Sequence, residues 1–229
     1  SLPQDINRLT KLTTLHLECN EDGRFFYENP FKVLDQLPAK ITSLFNLKEL
    51  RLRIDHLKSL PKGIENLKNL EVLNIDCILL KKLPKELGEL SNLRKLAISS
   101  GCLNSLPKEI GMLDKLESFK YFEYELFEYW LYVAEKPLGY VNTIPNEFGN
   151  LSSLSELSIT SFMNEFPKEI GNLNKLKNLY INCPILSELP KEIGNIGNLE
   201  ALHLDCCAVE TIPKEIGNLN KLKNLYINC

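Results

Sequence analysis

Apolar residues recur along this chain in one order, L-P-x-x-I-x-x-L-x-x-L-x-x-L-x-L, with an apolar residue followed by proline as the marker. In the third unit the positions are Leu60, Ile64, Leu67, Leu70, Leu73 and Ile75; in the seventh they are Phe166, Ile170, Leu173, Leu176, Leu179 and Ile181. The markers Pro3, Pro38, Pro61, Pro84, Pro107, Pro145, Pro167, Pro190 and Pro213 define nine units with a basic period of 23, two of them lengthened by 12 and 15 residues. The run PKEIGNLNKLKNLYINC occurs twice verbatim, as Pro167–Cys183 and Pro213–Cys229, with a looser version at Pro190–Cys206. The closing LxL alternates with period two, which predicts a short strand with Leu73 and Ile75 on one side and Val72, Asn74 and Asp76 on the other. In the PxxIxxLxxL half the apolar residues lie three apart, which predicts a short helix or 3-10 turn that buries one stripe and tolerates proline at its start. One unit cannot bury its apolar face alone. Stacked units can, giving a parallel sheet with one strand per rung and helical turns behind it. Strands about 4.8 Å apart form the inner wall and bulkier turns the outer, so the sheet is expected to be concave.

This pattern resembles the leucine-rich repeat family, whose consensus runs LxxLxLxxNxLxxLPxxIxxL, in the 23-residue LPxxIGxLxxLxxLxL form common in bacterial members and found also in plant and animal relatives. The resemblance covers essentially the whole chain. It implies an α/β leucine-rich repeat solenoid, a right-handed β-α superhelix with a concave parallel β-sheet and short α or 3-10 helices on the convex side. A single domain spanning 1–229 is expected, of about nine repeats, with inserts near 21–32 and 122–140. Both ends fall in mid-repeat without a polar cap, which points to a piece of a longer protein, or to open ends covered by self-association.

The family places an Asn ladder just after the strand. Here that position holds Asn20, Asp55, Ile78, Gly101, Tyr124, Phe162, Pro184 and Cys207, so only Asn20 matches. One residue earlier stand Cys19, Ile54, Cys77, Ser100, Glu123, Ser161, Cys183, Cys206 and Cys229, which takes in five of the seven cysteines. Alternation turns this column inward, and its small Cys and Ser residues are read as replacing the ladder. Free thiols acting as small buried hydrophobes are one reading of the column. Disulfides between rungs are another, because the strand spacing lies within the Cα range a disulfide allows. A metal site is the weakest, since no CxxC pair is present and a linear file of thiols does not make a tetrahedron.

Composition narrows the partners. A formal charge of −3 gives no support to a nucleic-acid partner. No apolar run reaches the roughly 18 residues a spanning helix needs, which argues against membrane insertion, and the N-terminus has no apolar signal-peptide core. Unpaired thiols favour a reducing cytoplasm, with a secreted or cell-surface position as the alternative. No cofactor is called for.

The outward strand positions are the default partner-binding surface that the resemblance implies. Tyr180, His203 and Tyr226 form one file across three adjacent rungs, with Asn182, Asp205 and Asn228 beside it, a Tyr-plus-Asn composition favoured in recognition surfaces. His203 with Asp205 lacks an organised nucleophile. Arg51 and Arg53 face Glu18 and Asp76 on neighbouring rungs, so ion pairs are expected there. Of 19 aromatic residues, 13 fall in two windows around the inserts. Phe25, Phe26 and Tyr27 lie in the first, and Phe122, Tyr124, Phe127, Tyr129, Trp130 and Tyr132 in the second. They are read either as flaps that cover the sheet edge or as an interface hot spot, with Glu123, Glu125, Glu128 and Glu135 interleaved to suit a basic and apolar partner. The absence of GxxxxGK[ST], GxSxG and HExxH motifs leaves a non-enzymatic protein-binding scaffold as the primary reading. A substrate-recognition arm of a larger enzyme and a self-assembling surface protein are the alternatives.

Overall fold

In the computed structural model, which describes residues 5–19, 35–124 and 141–228, the described proline markers each precede a 3-10 turn. Pro61 is typical: its extended backbone (φ −67°, ψ 142°) delivers the chain into the turn Lys62–Asn66. Its carbonyl then accepts the Ile64 amide at 3.1 Å, Ile64 accepts Leu67 at 3.1 Å, and Leu67 accepts Leu70 at 2.9 Å. These are bonds between residues three apart. At three residues per turn Ile64, Leu67 and Leu70 eclipse on one side, whereas 3.6 residues per turn would fan them around the axis. All three are completely buried.

Each turn hands on to a strand: β1 (Thr14–Cys19), β2 (Glu49–Ile54), β3 (Val72–Asp76), β4 (Lys95–Ser100), β5 (Ser118–Glu123), β6 (Glu156–Thr160), β7 (Asn178–Asn182), β8 (Ala201–Asp205) and β9 (Asn224–Asn228). The strands form one parallel sheet in chain order, paired without slippage, so that Leu50, Leu73, Leu96, Phe119, Leu157, Leu179, Leu202 and Leu225 make a single file. The expected solenoid, with its parallel sheet and 3-10 turns, is what the chain adopts. Phe122 and Glu123 belong to β5, where Glu123 pairs with Ser100, so they are strand residues at the place where the second insert was expected to begin.

The glycine of PKEIG has a packing reason. A Cβ on Gly111 would lie 2.2 Å from the Glu147 carbonyl oxygen of the next turn, and one on Gly88 or Gly194 would lie 2.3 Å from the equivalent oxygen. Adjacent turns touch backbone to backbone here, and no side chain fits between them. Gly217, the same residue in the last copy, meets nothing within 4 Å.

The cysteine column faces inward. Cys77, Cys183 and Cys206 are buried. Burial pushes the Cys77 and Cys183 thiols up to about 12, with weaker contributions from hydrogen bonds and neighbouring charges. Cys19 departs from the expectation: it is exposed, on a strand that among the described residues pairs with β2 alone and whose Leu15 and Leu17 are themselves only partly buried. Cys229 lies outside the described residues.

Two outcomes are expected from this packing. Gly171→Ala should destabilise the chain by about 1–3 kcal/mol through overpacking against Glu192, while Gly217→Ala should be neutral or stabilising by about 0.4–1 kcal/mol. Urea melts of the two variants check this, and equal effects at the two sites would contradict it. A thiol reagent applied to the native chain should modify Cys19 and Cys207 quickly and Cys77, Cys183 and Cys206 slowly, and should find all seven thiols after unfolding without reductant. A count below seven would show that a disulfide forms.

Candidate functional site

Alternation divides the strands into an inner face of leucine and isoleucine and an outer face of three columns, with the middle column running His16, Arg51, Asn74, Ala97, Lys120, Ser158, Tyr180, His203 and Tyr226. Three consecutive rungs of this column, β7 to β9, carry rings. Register places His203 directly between Tyr180 and Tyr226. The imidazole stacks on Tyr226 at 4.1 Å and 16°, while Tyr180 leans away at 5.9 Å and 37°. Tyr180 is 40% exposed and Tyr226 50%. Beside them the Asn228 amide donates to Asp205 Oδ1 at 3.0 Å. Tyr180, Ala201, His203, Lys223, Asn224 and Tyr226 border a depression of about 470 Å³.

A second, polar file closes the other end of the face. Arg53 bonds Glu18 at 3.2 Å on one neighbouring rung and Asp76 at 3.5 Å on the other, as the sequence predicts. Arg51 instead pairs with Glu49 of its own strand, two residues back on the same face. The chain of contacts continues beyond Arg53: the Tyr124 hydroxyl donates to Asp76 Oδ1 at 2.6 Å, and the Tyr124 ring meets Phe122 edge to face at 5.1 Å. Partial burial and the bond to the Asp76 carboxylate push the Tyr124 phenol up to about 12. Of the two sequence-predicted aromatics in β5 and its exit, Phe122 is therefore exposed on the face and Tyr124 is tied down. Phe25, Phe26, Tyr27, Phe127, Tyr129, Trp130 and Tyr132 lie outside the described residues.

Glu123 corrects an expectation. Rather than joining an acidic rim around the insert, it is 3% exposed, in the inward column between Ser100 and Ser161. Its Oε2 accepts the Ser161 hydroxyl and the Phe162 amide, the latter at 3.0 Å, while Oε1 and the nearby Tyr121 hydroxyl are buried with no hydrogen-bond partner among the described residues. Burial raises its pKa, and the hydrogen bonds from Ser161 and Phe162 pull it part of the way back. Of its two readings in the sequence, the inward column holds and the displayed acidic residue does not, in keeping with Tyr121 two residues before it, which also points inward.

The missing Asn ladder has counterparts that apolar periodicity does not reveal. Ser100 Oγ bonds the Leu80 carbonyl at 2.9 Å and accepts the Cys102 amide at 3.2 Å, which is the role expected of the ladder. Before the strand, Asn46, Asn69, Asn92 and Asn198 each donate to a carbonyl of the preceding rung, Asn69 to Phe45 and Asn92 to Lys68 at 2.8 Å. Immediately before seven of the nine strands, Lys48, Glu71, Arg94 and Glu117, then Lys177, Glu200 and Lys223, alternate in sign, with Lys48–Glu71 at 3.4 Å and Lys223–Glu200 at 2.6 Å. Such exposed pairs add little stability. They do neutralise that edge of the sheet. A search for polar residues at the 23-residue period would have found both files.

Among the described residues no group of three or more His, Cys, Asp or Glu is placed to hold a metal ion, and no helix is long and apolar enough to cross a membrane.

A family model described as a leucine-rich repeat region matches residues 1–100 and 35–129. No curated protein matches the chain in sequence. Among solved structures, the chain is similar to a leucine-rich repeat protein of Leptospira interrogans at 33% identity and a TM-score of 0.63, over 100% of this chain and 59% of that one. It is similar to a plant peptide hormone receptor, RGFR1, in complex with RGF2 at 26% identity and a TM-score of 0.60, over 99% of this chain and 38% of the receptor. The leucine-rich repeat domain of the type III effector XopL shares the fold at 22% identity and a TM-score of 0.69, over 99% of this chain and 72% of that domain.

Glu123 carries a test of its own. An acid whose pKa is raised by folding binds its proton more tightly in the folded chain, so its contribution to stability is complete below the unfolded carboxyl value and is lost as pH rises through the folded one. Glu123→Gln keeps an acceptor for Ser161 and Phe162 without the charge. Its stability relative to the parent chain should therefore improve between mildly acidic and mildly alkaline pH. Urea melts of both proteins across that range check this; a difference independent of pH would place the ionised carboxylate at no disadvantage.

Proposed function

This chain belongs to the leucine-rich repeat family, and from that premise we propose that it is a non-enzymatic scaffold that binds a protein partner through the outer face of its sheet together with the aromatic inserts. The observation that carries the reading is the Tyr180–His203–Tyr226 stack, two exposed tyrosines flanking a half-buried imidazole on a sheet whose other face, from β2 to β8, buries its apolar residues almost completely. Rigid aromatic rings with Asn neighbours supply contact area and hydrogen bonds at small entropic cost. The exposed Phe122 on β5 extends the same face toward the place where the second insert leaves. The likeness to a receptor in complex with RGF2 agrees with this use of the fold. The chain spans 59% of the Leptospira protein's length, so what the whole molecule does with a bound partner belongs to the same proposal.

The partner is expected to engage the second insert as well as the sheet. Replacing Trp130 and Tyr132 with Ala should weaken binding by more than about 1 kcal/mol without altering the unfolding transition. A pull-down from the native host with the parent chain, this double variant and a chain lacking the insert identifies the partner and measures the loss. Undiminished capture by the correctly folded variants would remove the inserts from the interface.

A further inference from the structure

Within that reading, we propose that β7, β8 and β9 recognise a proline-rich segment in the polyproline II conformation, laid across the strands, with two prolines three residues apart and a basic residue between them. The duplicated sequence makes β7 and β9 present identical outward triplets, Asn178-Tyr180-Asn182 and Asn224-Tyr226-Asn228, in register through β8. The two triplets are separated by two strand spacings, about 9.4–9.8 Å. A ligand that makes equivalent contacts with both must repeat at that distance. Polyproline II returns to the same face every three residues, or about 9.3 Å. A β-strand returns after about 6.6–6.8 Å and an α-helix after about 5.4 Å per turn, and neither period meets one rung or two.

The middle rung supplies the rest. Ala201 stands between Asn178 and Asn224, and its short side chain leaves the depression of about 470 Å³ against the aromatic wall. A pyrrolidine ring packs well on such a wall, as aromatic-lined grooves do with PxxP segments. Polyproline II makes no internal hydrogen bonds, so its carbonyls need outside donors. The Asn178 and Asn224 amides and the two tyrosine hydroxyls are donors of the right kind. Charge sets the basic residue: Asp205 is the one carboxylate among the nine outward side chains of these rungs, and its bond from Asn228 leaves most of its acceptor capacity open. The adjacent Lys223 is already paired with Glu200 at 2.6 Å.

The test is fluorescence polarisation with two labelled synthetic peptides of equal composition, one containing Pro-Lys-Ala-Pro and the other Pro-Lys-Pro-Ala, titrated with the full chain. The first should bind about tenfold or more tightly than the second, and Tyr226→Ala, which truncates an exposed side chain, should abolish the difference. Asp205→Asn should remove the preference for Lys over Gln in the first peptide while keeping its dependence on proline spacing. Circular dichroism melts establish that both variants are folded. Equal affinity for the two isomers, or no binding by either, overturns the proposal, as does tighter binding of a β-linked glucan oligosaccharide at the same tyrosines. If a protein partner is still captured through the sheet when neither peptide binds, this inference fails and the scaffold reading survives.

Discussion

A rung of 23 residues has no inside of its own, and every other property of the chain follows from how it borrows one from its neighbours. The two verbatim copies demonstrate the constraint. Leu179 and Ile181 of β7, held between β6 and β8, are 0% and 1% exposed, whereas Leu225 and Ile227 of β9, in the same local sequence, are 50% and 41% exposed. The burial that stabilises a leucine here, about 1.5–3 kcal/mol for a complete one, belongs to the pair of rungs and not to the segment. The same holds for the turns, where Gly88, Gly111 and Gly194 let one backbone lie against the next.

Stacking at a fixed spacing also decides what polar groups must do. Each rung leaves amides and carbonyls at both ends of its strand, and the next rung satisfies them: the Lys48 carbonyl takes two amides, from Glu71 at 2.8 Å and Val72 at 3.0 Å. Side chains reinforce this at the same period, through the Asn file before the strand and Ser100 after it. Glu123 is the exception within the inward column. Its bonds from Ser161 and Phe162 tie together the rung where the second insert leaves and the rung that follows. A buried carboxyl is an expensive way to make that connection, and it brings a dependence on pH that a serine in the same column does not.

With the inner face and both edges occupied by these obligations, recognition falls to the outer face of the strands. There the charged residues largely answer one another, as in the run Glu18, Arg53, Asp76 and Tyr124. The aromatic stack on β7 to β9 has no such internal claim, and duplication has given it a spacing of its own. Conformity to the repeat builds the scaffold, and the residues between the repeat positions give each stretch of the face its character.

Several features were legible in the order of residues alone: the period, the strand register, the inward cysteine column, the pairing of Arg53 and the file of Tyr180, His203 and Tyr226. They were legible because stacking with one strand per rung converts a distance of 23 along the chain into a neighbour in space. The stack's geometry was not, since a one-dimensional pattern carries no ring orientation, and neither was the depression beside Ala201. Arg51 turning to Glu49 of its own strand, and Asn files taking over from a ladder in another place, were decided only in the folded sheet. The chain by itself determined which residues share a face. The tertiary structure decided which of them are satisfied by one another and which remain available, because that depends on distances across the sheet that no single repeat contains.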